Sequence, residues 1–237
     1  MRVIAMAAAV VMVLPGMLAS IVGQGAPTAE RAVFTADGVS MTYGLSVPSG
    51  DGPYPLVLAL HPGGGRTPYY GAMFMQGIVE PALRDWNPII VAPDVPTPSW
   101  ATDLSDSAVM ALLEDVSERY DIDPTRVLVT GFSLGGHGTW FFATRHPDVF
   151  TGAIPIAGSP LNSALDNLGT MPIHIIHGRD DEVVPFGPAR EAAESLGDRG
   201  HPVELTAIDG VGHFTMGAYV EYLQAAGEWM VEQWEQN

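Results

Sequence analysis

The sequence predicts an α/β protein in which a mainly parallel central sheet is covered by helices on both faces. Short continuous apolar runs, such as 56–60 and 89–92, are typical of strands buried on both sides of a sheet. Segments with helical spacing of apolar residues alternate with these runs, as in strands joined by helical crossovers. The start differs, because residues 33–47 alternate apolar and polar side chains around Asp37-Gly38, which predicts a β-hairpin.

The other predicted elements follow this alternation along the chain. Pro81 is expected to break or restart the first helix, and Asp103 or Ser105 to cap the second. The short 158–171 connection leaves no room for a large cap domain. The predicted helices are 69–86, 106–120, 134–145, 186–196 and 219–234, and the further strands are 127–132, 152–157, 173–176 and 203–208.

Bulk composition limits the classes of function. A chain of 237 residues, 47% of them apolar, is long enough for one sizeable domain, expected to span 26–237. Cysteine is absent, which excludes disulfides, thiolate catalysis and cysteine-based zinc sites. The formal charge of −17 disfavours nucleic acid, anionic membranes and strongly anionic substrates as partners. Salt adaptation and ordinary solubility both remain explanations for that acidity.

The N-terminus resembles an export signal. Arg2 precedes an apolar stretch from Val3 to Leu14, and small residues follow Pro15-Gly16. The stretch is short for a transmembrane helix. We therefore expect a signal peptide of about 25 residues, cleaved between Ala19 and Ala26, and a secreted or periplasmic protein without stable membrane association. An uncleaved membrane anchor is the alternative.

A candidate nucleophile lies in Gly131-Phe-Ser133-Leu-Gly135, between an apolar run and a helical pattern. This strand, sharp turn and helix form the context that Gly-x-Ser-x-Gly requires. A serine in such a turn stands clear of the sheet edge, and the helix N-terminus beyond it favours negative charge. The alternative is a structural turn that happens to carry a serine.

A serine hydroxyl needs a base, and the base needs an acid that orients it. Two later strands end in such groups, at the sheet edge where open α/β sheets place their sites. His213 follows the strand 203–208, and histidine is the side chain whose unperturbed pKa suits a general base near neutral pH. Asp180, Asp181 and Glu182 follow the strand 173–176 and compete for the role of the acid.

Amides that stabilise an oxyanion are predicted at two places. One is the amide of Leu134, directly after the nucleophile, and the other lies in the loop His61-Pro-Gly-Gly-Gly65. Pro62 has no N–H, so Gly63 is the first choice in that loop and Gly64 the second. His61 is expected to shape the loop. No histidine pair has metal-ligand spacing on one element, so neither a metal nor a cofactor is expected.

Several motifs together resemble the α/β-hydrolase superfamily, and most closely its bacterial phospholipase/carboxylesterase-type and polyhydroxybutyrate-depolymerase- or feruloyl-esterase-like members. The motifs are Leu60-His-Pro-Gly-Gly-Gly65, Asp121-Ile-Asp-Pro-Thr-Arg126, Gly131-Phe-Ser-Leu-Gly-Gly136, His146-Pro-Asp-Val-Phe150, His177-Gly-Arg-Asp-Asp181 with Val184-Pro185, and Gly210-Val-Gly-His213. In these families the acid is the fourth residue after the histidine of His-Gly, which indicates Asp181. Pro62 departs from the family pattern, where glycine is more common.

The resemblance implies hydrolysis of a small-molecule carboxylic ester through an acyl-enzyme, with Ser133, His213 and Asp181 as nucleophile, base and acid. Dienelactone hydrolases of the same superfamily commonly use a cysteine nucleophile, which this chain lacks. We expect an open cleft lined by Trp100, Tyr69, Tyr70 and Phe214, acting on short-chain or aryl esters. The alternatives are a feruloyl esterase or polyester depolymerase, a serine peptidase, and a non-catalytic binding protein. Oligomeric state is not predicted.

Overall fold

One eight-stranded sheet forms the centre of the computed structural model, which describes residues 28–36, 38–64 and 67–236. The predicted export signal lies outside the described residues. The spatial order is β1-β2-β4-β3-β5-β6-β7-β8, and all pairs from β4 to β8 are parallel. The predicted mainly parallel sheet is confirmed. The strands are β1 (Thr28–Ala36), β2 (Val39–Val47), β3 (Tyr54–Leu60), β4 (Ile89–Pro93), β5 (Ile122–Phe132), β6 (Gly152–Ile156), β7 (Ile173–Gly178) and β8 (Val203–Ile208).

The predicted hairpin is the antiparallel pair β1 and β2. Its register runs from Thr28 opposite Val47 to Ala36 opposite Val39, and Gly38 has a φ of 79° at the turn. The second strand also pairs antiparallel with β4, which attaches the hairpin to one edge of the parallel sheet. The amino end of β2 therefore lies at the same rim as the carboxyl ends of the parallel strands.

Helices cover both faces of the sheet. They are α1 (Tyr70–Phe74), α2 (Glu80–Leu83), α3 (Asp103–Arg119), α4 (Leu134–Arg145), α5 (Phe186–Gly197) and α6 (Val220–Glu235). Alternate side chains of β3 belong to two separate hydrophobic clusters, with Leu58 in one and Val57 in the other. Because neighbouring residues of a strand point to opposite faces, the core consists of one apolar layer on each side of the sheet. None of the helices in the described ranges has the length and apolarity needed to span a bilayer.

The predicted restart of the first helix at Pro81 is confirmed, whereas the predicted caps of α3 are not. The first helical stretch is divided by a π-helical segment, Met75–Val79, and restarts as α2 with Pro81 in its first turn. The missing N–H of Pro81 explains why the regular bonding cannot continue through it. The predicted caps of α3 are wrong, because Thr102 has the extended backbone of a cap and its hydroxyl accepts from Ser105 N–H at 3.1 Å.

The connection between β6 and β7 is short, as predicted. Its one helical turn in the described residues is the 3₁₀ segment Leu165–Leu168, and no cap domain is present between these strands. The rim formed by the carboxyl ends of β5 to β8 is therefore uncovered on this side.

Candidate active site

Ser133 occupies a sharp turn between β5 and α4. Its backbone has φ 56° and ψ −113°, a conformation that costs a non-glycine residue about 1–3 kcal/mol. Neighbouring glycines permit the close backbone approach around it, since a Cβ on Gly135 would lie 1.9 Å from the Leu60 carbonyl oxygen. The Ser133 N–H donates to the Ile156 carbonyl at 2.9 Å, which fixes the turn to β6. The strained residue is thus held by its surroundings with its hydroxyl at the rim.

The imidazole of His213 joins Ser133 to Asp181. Its Nε2 lies 2.8 Å from Ser133 Oγ, and its Nδ1 lies 2.7 Å from Asp181 Oδ2. An ionised carboxylate only accepts hydrogen bonds, so Nδ1 carries the proton and Nε2 is free to accept from the serine hydroxyl. His213 is 6% exposed. The three predicted residues therefore form one hydrogen-bonded chain in which the serine proton has an acceptor.

Asp181 is held on both of its oxygens. Its side chain is fully buried; Oδ1 accepts from the N–H groups of Val183 at 2.9 Å and Val184 at 2.7 Å. His177 donates through Nε2 to the Val184 carbonyl at 2.9 Å, and the same nitrogen lies 3.6 Å from Asp181 Oδ2. Burial lowers the pKa of His177, which favours its neutral form. Backbone amides thus stabilise the carboxylate and orient it toward His213.

The two other acids bind the backbone of the loop that carries His213. Asp180 Oδ2 accepts from Gly210 N–H at 2.8 Å, and Glu182 Oε2 accepts from His213 N–H at 3.1 Å. In the sequence both were only competitors of Asp181 for the role of the acid. In the structure the three consecutive carboxylates bind three different groups of one loop. Asp180 binds Gly210 N–H, Asp181 binds the His213 imidazole, and Glu182 binds His213 N–H. The signal in the sequence is the pair Gly210 and Gly212 before His213, because glycines leave main-chain N–H groups accessible to nearby carboxylates.

The loop after β3 is oriented by His61. Val95 N–H donates to His61 Nε2 at 3.0 Å, so the other ring nitrogen, Nδ1, carries the proton and donates to the Pro62 carbonyl at 2.6 Å. Burial lowers the pKa of His61, which agrees with this neutral tautomer. In a trans peptide the C=O and N–H groups point in opposite directions, so the bound Pro62 carbonyl turns Gly63 N–H away from the imidazole.

Gly63 faces the residue that follows the nucleophile. A Cβ on Gly63 would lie 3.7 Å from Leu134 Cβ. Leu134 opens α4, and the first N–H groups of a helix point outward from its end without intrahelical partners. The two residues whose amides are predicted to stabilise an oxyanion are therefore close to each other, and Leu134 directly follows Ser133. Gly64 has a φ of 136°, and a Cβ there would meet only the Tyr70 hydroxyl within 4 Å.

The four aromatic residues predicted to line the cleft have different environments. Trp100 is 1% exposed, so its assignment to the cleft is wrong. Its Nε1 donates to the His61 carbonyl at 3.2 Å, and the buried side chain packs against the loop after β3. The Tyr69 ring packs under the Arg31 guanidinium, 5.6 Å from the ring centroid. Tyr70 borders a groove beside Gly63, and Phe214 is 81% exposed next to His213.

That groove, here called the hairpin groove, has a volume of about 500 Å³. It lies between the β1–β2 hairpin and the loops after β3 and β4, and it reaches Gly63 and Leu134. The described residues contain no group of three or more histidine, aspartate or glutamate side chains arranged to hold a metal ion. A serine hydroxyl, an imidazole and a buried carboxylate joined in this order have the chemistry that acyl transfer requires.

Comparison with known proteins places these features in a family. The model of the "Dienelactone hydrolase family" matches residues 98–234. A 57-residue stretch is 42% identical to poly(3-hydroxyalkanoate) depolymerase C of Paucimonas lemoignei, which is 24% of this chain and 14% of that protein. A probable feruloyl esterase C of Aspergillus niger is 28% identical over 198 residues, 75% of this chain and 70% of the relative.

A solved structure of a thermostable esterase superimposes with a TM-score of 0.73 at 29% identity, over 86% of this chain and 62% of that one. The chain spans less than half the length of several curated relatives that it matches. The family model nevertheless covers more than half of the 237 residues and includes Ser133, Asp181 and His213. The chain, which has the α/β-hydrolase fold, belongs to the dienelactone hydrolase family.

Proposed function

We propose that this protein is a serine carboxylesterase that hydrolyses carboxylic esters through an acyl-enzyme. The observation that carries the proposal is the continuous hydrogen-bonded chain from Ser133 Oγ through His213 to Asp181, at 2.8 Å and 2.7 Å. Leu134 directly follows Ser133 and lies close to Gly63, which supports the assignment of their two amides to the oxygen of a tetrahedral intermediate.

In the first half-reaction Ser133 Oγ forms a bond to the ester carbonyl carbon while its proton passes to His213 Nε2. The carbonyl oxygen becomes an oxyanion, and the two amides stabilise it. Asp181 stabilises the imidazolium that forms and keeps the ring oriented. The carbon–oxygen bond to the alcohol then breaks, and His213 returns the proton to the departing alcohol.

In the second half-reaction water replaces the alcohol. His213 Nε2 accepts a proton from water, whose oxygen attacks the acyl carbon. Collapse of the second tetrahedral intermediate breaks the bond to Ser133 Oγ and releases the carboxylic acid. The proton held by His213 returns to the serine oxygen. No cofactor is required in either half-reaction.

A second candidate is an esterase that acts on a polymer such as a polyester or a feruloylated polysaccharide. The described residues include six exposed large apolar side chains, and three of them, Leu161, Val183 and Phe214, lie on the loops that follow β6, β7 and β8. These loops surround the rim that carries the acid and the base. An apolar, uncovered rim favours a substrate that the enzyme meets at a surface. Export of the protein, proposed from its N-terminal sequence, agrees with such a substrate.

The test is a chain-length series of p-nitrophenyl esters on the wild type and on Ser133→Ala. We expect the substitution to lower kcat by at least about a thousandfold, as expected for loss of a triad nucleophile. Methyl ferulate and a poly(3-hydroxybutyrate) film separate the second candidate from a small-ester enzyme. Retained turnover by Ser133→Ala would contradict the proposal.

A further inference from the structure

The order of the strands divides the rim into two sides. Ser133 follows the central strand β5, Asp181 follows β7, and His213 follows β8. The hairpin groove lies on the other side, because it is bordered by the β1–β2 hairpin and by the loops after β3 and β4. In the sheet, β5 lies between β3 on one side and β6 to β8 on the other. The base and the groove are therefore on opposite sides of the nucleophile.

The chemistry of the reaction then assigns the two parts of the ester. His213 has to deliver a proton to the leaving alcohol, so the alcohol oxygen must lie on the side of the imidazole. The amides of Gly63 and Leu134 hold the carbonyl oxygen. The remaining substituent of the carbonyl carbon, the acyl chain, points to the side away from His213, where the hairpin groove begins at these same two residues.

The groove has the character of an apolar pocket. Its volume of about 500 Å³ is within the range of about 300–1,000 Å³ found for small-molecule sites. Much of its wall is apolar, including Val33, Met41, Pro62, Pro68, Pro96 and Pro98.

Among the described residues that line the groove, Asp94 alone carries a full charge. Its carboxylate accepts from Tyr69 N–H at 2.6 Å, from Gly71 N–H at 2.7 Å and from the Thr42 hydroxyl. This carboxylate already has donors, and it repels an anionic group placed in the groove.

We propose that the hairpin groove is the acyl pocket, that it takes a neutral apolar acyl chain of medium length or an aromatic acyl group, and that the alcohol leaves over the open rim at Leu161, Val183 and Phe214. This proposal rests on the esterase function proposed above and adds the substrate class. It predicts selectivity for the acyl part of the ester and tolerance for the alcohol part.

The experiment varies the two parts of the ester separately. One series keeps p-nitrophenol and lengthens the acyl group from acetate to octanoate, and the other keeps butyrate and changes the alcohol. We expect kcat/KM to rise along the acyl series by up to about fourfold per methylene and to change little along the alcohol series. A terminal carboxylate, as in p-nitrophenyl hemiglutarate against pentanoate, is expected to lower kcat/KM by at least about tenfold.

Val33→Trp tests the position of the pocket, because Val33 lines the groove and is 61% exposed, so that the larger side chain does not disturb the core. It is expected to lower kcat/KM for octanoate by at least about tenfold and for acetate by less than about twofold. Leu104→Trp is the matched control, since Leu104 is 50% exposed on α3 and does not line the groove. The control is expected to keep the wild-type profile.

Labelling of Ser133 by a fluorophosphonate distinguishes failure of the acyl-pocket proposal from failure of the esterase proposal. If every variant is labelled and Val33→Trp leaves the acyl profile unchanged, or alters the alcohol series instead, the groove is not the acyl pocket and the esterase proposal stands. If the wild type is neither labelled nor active on any ester, both proposals are wrong.

Discussion

Glu182 Oε2 accepts a hydrogen bond from the backbone N–H of His213 at 3.1 Å, so the residue after the acid holds the main chain of the base. The approach is close, because a Cβ on Gly212 would lie 2.7 Å from the same carboxylate oxygen. Arg179 adds an ion pair to Asp209 at 3.0 Å on the same loop. The acid loop therefore positions both the imidazole and the backbone from which it projects.

Glu182→Ala is expected to lower kcat while leaving KM nearly unchanged. The lost bond is partly exposed, and a hydrogen bond of this kind contributes about 1 kcal/mol, or roughly fivefold in rate. Glu182→Gln retains an acceptor oxygen and is the matched control, with activity close to that of the wild type. Steady-state kinetics on one p-nitrophenyl ester measure both. Equal kcat for Glu182→Ala and the wild type would show that this bond does not position the base.

Asp181→Asn and Asp180→Asn separate the two neighbouring acids. The first removes the charge that orients and stabilises His213, and kcat is expected to fall by about 10⁴ at neutral pH. The second leaves the imidazole contact intact and only weakens the bond to Gly210, so kcat is expected to stay within about tenfold. The comparison uses the same ester and the same pH for both variants. A larger loss in Asp180→Asn would transfer the role of the acid to that residue.

His61→Phe tests the orientation of the oxyanion amide. The variant removes the donor to the Pro62 carbonyl and the acceptor of Val95 N–H, so Gly63 N–H is no longer held in one direction. We expect kcat to fall by about a hundredfold, the lower end of the effect of losing one oxyanion donor. His174→Phe, also a buried histidine but placed on β7, is the control and should keep kcat. Similar losses in the two variants would indicate a general effect on folding.

Stability is expected to fall in acid because several histidines are buried in the neutral form. Burial lowers the pKa of His174 from 6.5 to about 4, and it also lowers the pKa of His61, His177 and His201. Between about pH 4 and pH 6.5 the unfolded chain binds a proton at His174 that the folded chain does not bind. The contribution of His174 is therefore fully present above about pH 6.5 and falls by about 3 kcal/mol as the pH approaches 4.

Urea unfolding at pH 7.5 and at pH 4.5 measures this effect in the wild type and in His174→Phe. The difference in unfolding free energy between the two pH values should be smaller in the variant by about 2–3 kcal/mol. The other buried histidines leave a residual pH dependence in both proteins. The same difference in the variant and the wild type would contradict the assignment to His174.

The sheet and the three residues at its rim could be predicted because their signals are local. Continuous apolar runs identify the buried central strands, and Ser133 directly follows one of them. Asp181 follows the buried strand β7, and His213 follows the edge strand β8, in which apolar and polar residues are mixed. Parallel strands bring their carboxyl ends to one edge, so residues distant in sequence meet there without knowledge of side-chain packing.

Other features depend on tertiary contacts that spacing does not encode. Trp100 precedes a helix near the rim, and only the packing of the loop after β3 decides that it lies beneath His61 instead of in the cleft. The separate tasks of Asp180 and Glu182 depend on the direction in which each side chain leaves the loop after β7. Thr102 caps α3 because its backbone is extended, whereas Asp103 and Ser105, equally suitable by type, lie inside the helix.

Trapping of the acyl-enzyme shows whether Ser133 becomes acylated during ester hydrolysis. The protein is mixed with p-nitrophenyl butyrate, quenched in acid within the first turnover, digested and analysed by mass spectrometry. We expect a butyryl adduct on the peptide that contains Ser133, with a burst of about one p-nitrophenolate per protein molecule if deacylation is the slower step. Ester turnover that persists in Ser133→Ala, or an adduct located on another residue, would contradict it.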